Sequence, residues 1–172
     1  DYIIAHGVYS WIPTDAQERM LAICARQLSP SGIAYVSYNT LPGWRMRAVV
    51  RDAMIYHTRR LVDPTQQAAQ SRAMLEFLAE ALKDDASPYG GLLRHEAEQL
   101  RKQEDYYILH DHLEAVNEPL YFYQFMERAT RHGLNYLGEA DFGSMLGSEF
   151  GPAAMQTLAK GWRWAATPCS AS

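Results

Sequence analysis

The stretch DYIIAHGVYSWIP, residues 1–13, decides how this chain folds. Its apolar run Tyr2–Ala5 predicts a buried strand, because a strand that is covered on both faces needs no polar alternation. The run ends at the polar pair His6–Gly7. A helix is predicted to begin at Thr14 or Asp15, either of which is a suitable N-cap residue.

A second apolar run, IAYVSY, follows Gly32 and stops at Asn39. Two strands joined by a helix and short connections predict a βαβ unit, and therefore a parallel sheet covered by helices. Ligands of such sheets bind beyond the carboxyl ends of the strands. Two polar segments are predicted to meet at this edge, His6–Trp11 and Tyr38–Trp44. We expect the functional site there.

The composition of the 172 residues, 48% hydrophobic and 21% charged, is typical of a globular protein. A net charge of −4 argues against binding to nucleic acid or to an anionic membrane. Two cysteines, Cys24 and Cys169, form neither a disulfide framework nor a metal-binding spacing. No apolar run spans a bilayer and no signal peptide is recognised, so a cytoplasmic location is expected. Five arginines are interpreted as a solvated face or interdomain contact of one helix: Arg45, Arg47, Arg51, Arg59 and Arg60.

The middle of the chain predicts three successive helices without a strand between them. The first covers about 45–61, and the second begins at the Asp63–Pro64 pair and runs to 83. The Ser87–Pro88 pair repeats this start signal for the third, which is expected to cover about 91–104. Because sheet-like sequence resumes at 106–109, these helices are interpreted as an insert rather than a separate domain.

The last third of the chain predicts a strand, a helix and a second strand. The strand is Tyr106–Leu109, the helix begins at 117–119 and continues to His132, and Gly133 stops it. A short strand is predicted at 134–137. The last twenty residues show no recognisable pattern.

These motifs resemble class I S-adenosylmethionine-dependent methyltransferases. Residues 1–39 are similar to the fourth and fifth strands of that fold, and RHGL followed by NYLGEA is similar to its late helix, turn and strand. The combination is more similar to bacterial methyltransferases that carry a methyltransferase regulatory domain, an architecture shared more distantly by rickettsial outer-membrane-protein lysine methyltransferases. The motifs of this sequence that carry the second resemblance are HGVYSW (6–11), SYNTLPGW (37–44) and LHDHLEAVNEPLYFYQF (109–125).

The resemblance implies an α/β fold, namely the C-terminal part of a Rossmann-like methyltransferase sheet with a largely helical insert. It divides the chain into the C-terminal strands of the methyltransferase domain (1–44), a helical regulatory insert (45–105), a returning strand–helix–strand segment (106–150) and an irregular tail (151–172). The insert would shield the acceptor site or mediate homodimerisation.

The resemblance also implies S-adenosylmethionine as the cofactor of the complete protein. The glycine-rich loop and the ribose-binding acidic residue of such enzymes do not occur in these 172 residues. We therefore expect the chain to be a fragment that lacks its amino-terminal part and is inactive alone.

His6, Tyr9 and Trp11 lie where the family places groups near the transferred methyl. An aromatic face, such as that of Trp11, stabilises a sulfonium by roughly 0.5–2 kcal/mol, and a histidine can accept a proton near neutral pH. His6 and Tyr9 are thus the candidate catalytic residues, and His6 and Trp11 the candidate cofactor-binding residues. The alternative is that the two aromatic residues pack in the core and His6 caps the loop.

Tyr38 and Asn39, at the end of the second strand, are candidate acceptor-binding residues. The alternative for Asn39 is that it satisfies backbone groups of the following turn. Trp44 is expected to anchor the first helix of the insert.

The sequence HDHLE, residues 110–114, is the other polar cluster. In a strand, His110, His112 and Glu114 would share one face and could bind zinc or iron, but this spacing is not a known metal signature and we predict no metal. His110, Asp111 and His112 are candidate acceptor-binding residues, with structural capping as the alternative.

Two functions follow. One is part of a bacterial methyltransferase that transfers a methyl group in line to a small molecule or a protein lysine. The other is a non-catalytic module that regulates a separate methyltransferase. A metal-dependent hydrolase built on His110 has no further support in the sequence.

Overall fold

The structure is a computed structural model that describes residues 1–145 and 150–159. Its sheet contains strands β1 (Tyr2–Ala5) and β2 (Ile33–Val36), which pair in parallel with Tyr2 opposite Ile33 and Ala5 opposite Val36. Helix α1 (Thr14–Gln27) joins them. The predicted βαβ unit is confirmed, although β2 ends two residues earlier than the apolar run.

Strand β1 is less covered than its apolar sequence predicts. Tyr2 and Ile4 are 75% and 71% exposed, whereas Ala5 is buried. The fold that the described residues establish is therefore mixed and mostly helical, with a small two-stranded parallel sheet.

The three predicted helices of the insert are present: α2 (Trp44–Thr58), α3 (Pro64–Ala81) and α4 (Pro88–Arg101). Both later helices begin with proline at the first position, which needs no hydrogen-bonding N–H there. The side chain of Asp63 accepts a hydrogen bond from the backbone N–H of Thr65, and Ser87 accepts one from Gly90. The third helix therefore begins at Pro88 rather than at residue 91.

The predicted strand Tyr106–Leu109 is wrong. These residues belong to a helical turn, α5 (Asp105–Tyr107), which continues directly into a π-helical turn at Ile108–His112. Ile108 is fully buried against the helices of the insert, and four apolar residues in a row do not distinguish a buried strand from a buried helix.

The predicted helix start at 117–119 is also wrong, because helix α6 covers Phe122–Arg131. The residues before it are extended: the N–H of Leu120 donates to the carbonyl of Asn39 (3.0 Å) and the N–H of Leu41 donates to that of Leu120 (2.9 Å). A parallel bridge joins Thr40 and Leu120. This segment therefore continues the sheet edge beyond β2.

Gly133 ends α6 as predicted. Its positive φ of 77° allows the N–H of Leu134 to donate to Ala129 and its own N–H to donate to Thr130, which is a Schellman motif. Residues 134–137 form no strand, so that prediction is wrong.

Two hydrophobic cores form in residues 1–134. One lies among α2, α3, α4 and the π-helical turn and includes Met54, Leu75 and Leu93. The other lies between α1 and α6 and includes Tyr9 and Leu21. The carboxyl end of the sheet packs against the second core. This packing holds the loops that follow β1 and β2 in place.

The described residues from Asn135 onwards belong to a second compact unit. Helices α7 (Phe142–Met145) and α8 (Pro152–Ala159) belong to it, so the tail is not irregular up to residue 159. The Tyr136 hydroxyl donates to the Glu139 carboxylate (2.7 Å), and this bond raises the pKa of Tyr136 to about 12. The patternless end of the sequence from residue 160 onwards, with Cys169, lies outside the described residues.

The four-part division of the chain stays a prediction. None of the helices that the structure describes is long and apolar enough to cross a membrane.

Candidate functional site

An open cavity of about 430 Å³ lies at the carboxyl ends of β1 and β2. Three parts of the sequence form its wall: the loop after β1, the segment from β2 into α2, and the π-helical turn. The lining residues are His6, Gly7, Ser10, Trp11, Ser37, Tyr38, Asn39, Trp44, Arg47, His110 and Asp111. Six of the eight candidate site residues thus lie together, and the two that do not are Tyr9 and His112.

His6 is held at the rim by β2 and the residues after it. Its Nδ1 lies 3.1 Å from both the Tyr35 hydroxyl and the Ser37 hydroxyl, and its ring stacks on Tyr35 with the ring centres 5.7 Å apart. The N–H of Gly7 donates to Ser37 (2.7 Å), and Gly7 adopts a φ of 66° that few other residues tolerate. These contacts direct an exposed imidazole into the cavity.

Ser10 connects the loop after β1 to the segment after β2 and to the segment that precedes α6. It lies in a 3₁₀ turn, Tyr9–Trp11, and is 1% exposed. Its hydroxyl accepts a hydrogen bond from the N–H of Asn39 (2.8 Å), and its carbonyl accepts one from the N–H of Glu118 (2.8 Å). The loop after β1 is therefore fixed to both of its neighbours.

Aromatic rings form one side of the cavity. Trp11 packs edge-on against Trp44 (ring centres 6.0 Å apart), and its ring is tilted by 50° to that of His110 (5.1 Å). The Arg47 guanidinium lies over the Trp44 ring at 5.7 Å. Trp44 begins α2, as predicted, and it also belongs to the cavity wall.

Tyr38 and Asn39 follow β2. Tyr38 stacks on Phe125 of α6 (ring centres 4.4 Å apart) and also lines the cavity. The Asn39 amide donates to the side-chain oxygen of Asn117 (3.2 Å), so this side chain also secures the segment before α6. The recorded bond of the Asn39 side chain is thus to another side chain and not to a backbone group of the following turn, and its acceptor-binding role stays a prediction.

The π-helical turn divides its residues between two environments. The N–H of Leu113 donates to the carbonyl of Ile108, five residues earlier (3.1 Å), which is the hydrogen bond of a π-helix. Within this turn Ile108 and His112 lie in the core. His110 and Asp111 face the cavity instead. His110, His112 and Glu114 do not share a face, and among the described residues no group of three or more His, Cys, Asp or Glu could hold a metal.

His112 is 2% exposed, and its Nδ1 has no hydrogen-bonding partner among the described residues. Burial lowers its pKa to about 4, aided by the charges of Arg47 and Arg51 and opposed by Asp111. His112 is consequently a neutral core residue near neutral pH, and it does not line the cavity.

Tyr9 belongs to the core as well. It is fully buried, with its ring edge-on to Phe125 at 5.3 Å. Burial raises the pKa of its phenol, against the opposing effect of the nearby Arg128 guanidinium. A protonated, enclosed phenol is poorly placed to take a proton from a ligand, so the geometry favours the packing interpretation.

Arg47 and Ser37 line the cavity but were not candidates in the sequence. Arginines of α2 were interpreted as a solvated face, yet Arg47 faces the cavity and Arg51 is half-buried, donating to the backbone carbonyl of Glu114. Burial lowers the pKa of Arg51. The spacing of Trp44 and Arg47, one helical turn apart at the start of α2, was the available signal.

Residues 104–165 match the model of a predicted methyltransferase regulatory domain. The structure of PKMT2 from Rickettsia typhi is similar to 94% of this chain, with 37% identity and a TM-score of 0.79. A second structure of that protein, in complex with AdoHcy, is similar at 39% identity and a TM-score of 0.78. These findings confirm the resemblance to methyltransferases with a regulatory domain.

Two uncharacterised proteins of Rickettsia prowazekii are also similar in sequence. One is 43% identical over 158 residues and the other 39% identical over 131 residues, which is 92% and 76% of this chain. The chain spans 29% and 52% of those two proteins and 30% of the PKMT2 chain.

Proposed function

We propose that this chain, with its match to a methyltransferase regulatory domain, is part of a bacterial S-adenosylmethionine-dependent methyltransferase. Strands β1 and β2 would be the C-terminal part of its Rossmann-like sheet. The cavity at their carboxyl ends would receive the methyl acceptor, and residues 104–165 would regulate access to it.

The observation that carries this proposal is the composition of the cavity wall. His6 and Trp11 come from the loop after β1, whereas His110 and Asp111 come from inside the region that matches the regulatory domain. A segment that supplies part of the wall can control what enters the cavity. The cavity lies at the sheet edge where ligands of parallel sheets bind.

The residues present fit the sulfonium end of S-adenosylmethionine. Trp11 lines one side of the cavity, and an aromatic face attracts a cation by about 0.5–2 kcal/mol. His6 and Trp11 would contact that end of the cofactor. The cofactor, when bound, supplies an electrophilic methyl group on its sulfonium.

The contribution of the chain itself is positioning and proton removal. Holding the acceptor in line with the methyl group replaces an encounter in solution by a fixed geometry. When the Nδ1 proton of His6 is donated to Tyr35 or Ser37, Nε2 keeps a lone pair that accepts the proton of the acceptor. Tyr38 and Asn39 would bind the acceptor from the opposite wall.

Calorimetric titration of S-adenosylhomocysteine into the complete gene product tests this function. Because S-adenosylhomocysteine carries no sulfonium charge, we expect His6→Ala and Trp11→Ala each to weaken its binding about threefold to tenfold through the loss of one polar or apolar contact, and Trp11→Ala to weaken the binding of S-adenosylmethionine by up to about thirtyfold through the loss of the cation–aromatic contact. The same titration into the present 172 residues is expected to show much weaker binding, because these residues do not contain the glycine-rich cofactor-binding loop.

Tyr106→Phe is the matched control, because Tyr106 is 74% exposed and does not line the cavity. Absence of binding to the complete gene product at millimolar ligand would refute the cofactor assignment. Binding that is insensitive to both His6→Ala and Trp11→Ala would refute the placement of the site.

A non-catalytic module that regulates a separate methyltransferase is the second candidate. It is favoured by the family match, which covers the regulatory region. In that case the complete gene product would bind no S-adenosylhomocysteine, but would alter methyl transfer by a second protein that does.

The acceptor is proposed to be a small molecule or a protein lysine; nucleic acid and membranes are not expected. Asp111 and the aromatic wall suit an acceptor amine of either kind. A cytoplasmic location is proposed from the sparse cysteines, of which Cys24 is buried and free.

A further inference from the structure

One ring nitrogen of His6, Nδ1, is held by two hydroxyl groups at the rim of the cavity. The hydroxyl of Tyr35, on β2, and that of Ser37, just after β2, each lie 3.1 Å from Nδ1. The ring of Tyr35 stacks on the imidazole with an angle of 18° between the ring planes. The other ring nitrogen, Nε2, makes no hydrogen bond to the described residues, so it is the nitrogen left for a ligand of the cavity.

The oxygen of Ser37 is also fixed from a second side. The backbone N–H of Gly7 donates to it at 2.7 Å, from a turn in which Gly7 has a φ of 66°. A hydroxyl oxygen has two acceptor positions and one O–H donor. Gly7 occupies one acceptor position of Ser37, which leaves the second for a donor on His6. The O–H of Ser37 then remains for solvent, which reaches this rim because His6 and Gly7 are exposed.

Two hydroxyl oxygens beside one ring nitrogen favour a proton on that nitrogen. A single N–H can be shared between two acceptor oxygens as a three-centre hydrogen bond. A bare Nδ1 has one lone pair, so it accepts one hydroxyl proton and leaves the second oxygen facing it with no hydrogen between them. The hydrogen bonds of one ring nitrogen decide the protonation of the other. The surroundings of Nδ1 therefore determine what Nε2 can do.

We propose that Tyr35 and Ser37 are positioning residues that keep the proton of neutral His6 on Nδ1, so that Nε2 presents its lone pair to the cavity. The inference rests on the proposed function, in which His6 removes a proton from the methyl acceptor. When that proton binds Nε2, both ring nitrogens carry hydrogen and the imidazolium is positive. The N–H at Nδ1 donates to the same two oxygens, now as a charge-assisted hydrogen bond, so no second proton has to move.

NMR of the ring nitrogens, in the complete gene product labelled in histidine only, tests this inference through the tautomer of His6. The spectra are recorded at about pH 8.5, roughly two units above the ordinary pKa of histidine, so that neutral imidazole is observed. His6→Gln identifies the His6 signals by their loss. We expect Nδ1 to resonate as a protonated ring nitrogen and Nε2 as an unprotonated one.

Tyr35→Phe and Ser37→Ala each remove one of the two oxygens. Each should lower the ratio of the Nδ1–H to the Nε2–H tautomer about threefold or more, the effect of losing one hydrogen bond, and the double variant should lower it further. Ser37→Thr keeps a hydroxyl and should retain the wild-type ratio. Tyr2→Phe is the matched control, because Tyr2 lies on the neighbouring strand, is 75% exposed, and is not a recorded partner of His6.

A wild-type His6 with its proton on Nε2 overturns the inference, as does a tautomer ratio that stays the same in the double variant. An equal loss in Ser37→Thr and Ser37→Ala also overturns it, because the shape of the side chain and not its hydroxyl would then decide the ratio. The measurement needs neither cofactor nor acceptor. A failure of the proposed methyltransferase function therefore shows in the S-adenosylhomocysteine titration and leaves this result interpretable.

Discussion

Replacing Gln17 by leucine should loosen the turn that carries Trp11. Gln17 is fully buried in α1, and its amide donates to the backbone carbonyls of Tyr9 (2.9 Å) and Ile12 (3.1 Å). Its side-chain oxygen accepts a hydrogen bond from Arg128 of α6. One side chain thus joins the loop after β1, helix α1 and helix α6.

The magnitude follows from these three bonds. Two neutral hydrogen bonds contribute about 0.5–1.5 kcal/mol each, and the bond to the guanidinium contributes about 1.5–3 kcal/mol. Leucine returns about 1–2 kcal/mol through the burial of apolar surface. The Gln17→Leu variant should therefore lose about 2–4 kcal/mol of the free energy of unfolding, a large part of the 5–15 kcal/mol or so of a typical domain.

Urea denaturation followed by circular dichroism measures this loss. With a slope of about 2 kcal/mol per molar urea, the midpoint should fall by about 1–2 M. Gln27→Leu, the same substitution at an exposed position of the same helix, should change the free energy by less than about 0.5 kcal/mol. Equal midpoints for the two variants would refute the assignment of the turn's stability to Gln17.

Two further predictions concern the candidate residues that the structure places in the core. The pKa of His112, about 4 in the folded chain, lies below its ordinary 6.5, so stability is fully present above pH 6.5 and about 3 kcal/mol is lost as the pH falls to 4. Urea denaturation at several pH values should show this loss in wild type and a smaller one in His112→Gln; equal losses would place the titration elsewhere. Tyr9→Phe, which removes a buried hydroxyl that has no hydrogen-bonding partner among the described residues, should leave the free energy of unfolding unchanged or slightly raised, and should leave S-adenosylhomocysteine binding to the complete gene product unchanged. Weaker binding by that variant would return Tyr9 to the site.

The βαβ unit could be predicted because its signals are local. Two apolar runs, each followed by polar residues, flank a helix whose apolar residues recur at helical spacing. Short connections between parallel strands favour the right-handed crossover. The position of the cavity followed from the topology alone, since parallel strands end at a common edge. His6, Trp11 and Asn39 were found in this way.

The remaining errors share one physical cause, which is competition from distant parts of the chain. Residues 106–109 are apolar enough for a strand, but Ile108 and His112 must both reach the core of the insert, and a helical turn satisfies both. Residues 117–121 contain helix-start signals, yet their backbone groups pair with the segment after β2. The choice between strand and helix at 106–109, and between helix and extended chain at 117–121, depends on the distant residues that each segment packs against.

Arg47 shows the same limit at the level of function. Its neighbours in sequence are other arginines and apolar residues, a composition that is typical of a solvated helix face. Only the approach of the π-helical turn, about 60 residues away in the sequence, makes it part of a cavity wall. A site assembled from three separate segments leaves only a partial signal in any one of them.

Within residues 1–134, the part of the chain that matches the regulatory domain is connected to the cavity wall by hydrogen bonds. The segment after the π-helical turn is joined to the loop after β1 and to the end of β2 by backbone hydrogen bonds: Glu118 to Ser10, Leu120 to Asn39 and Leu41 to Leu120. Each contributes about 0.5–1.5 kcal/mol, so their combined loss costs only a few kcal/mol. That is the range of coupling free energies that link two sites in a protein. A partner that binds this region and shifts this segment would therefore change the affinity of the cavity for its ligand, and the ligand would change the partner's affinity by the same factor.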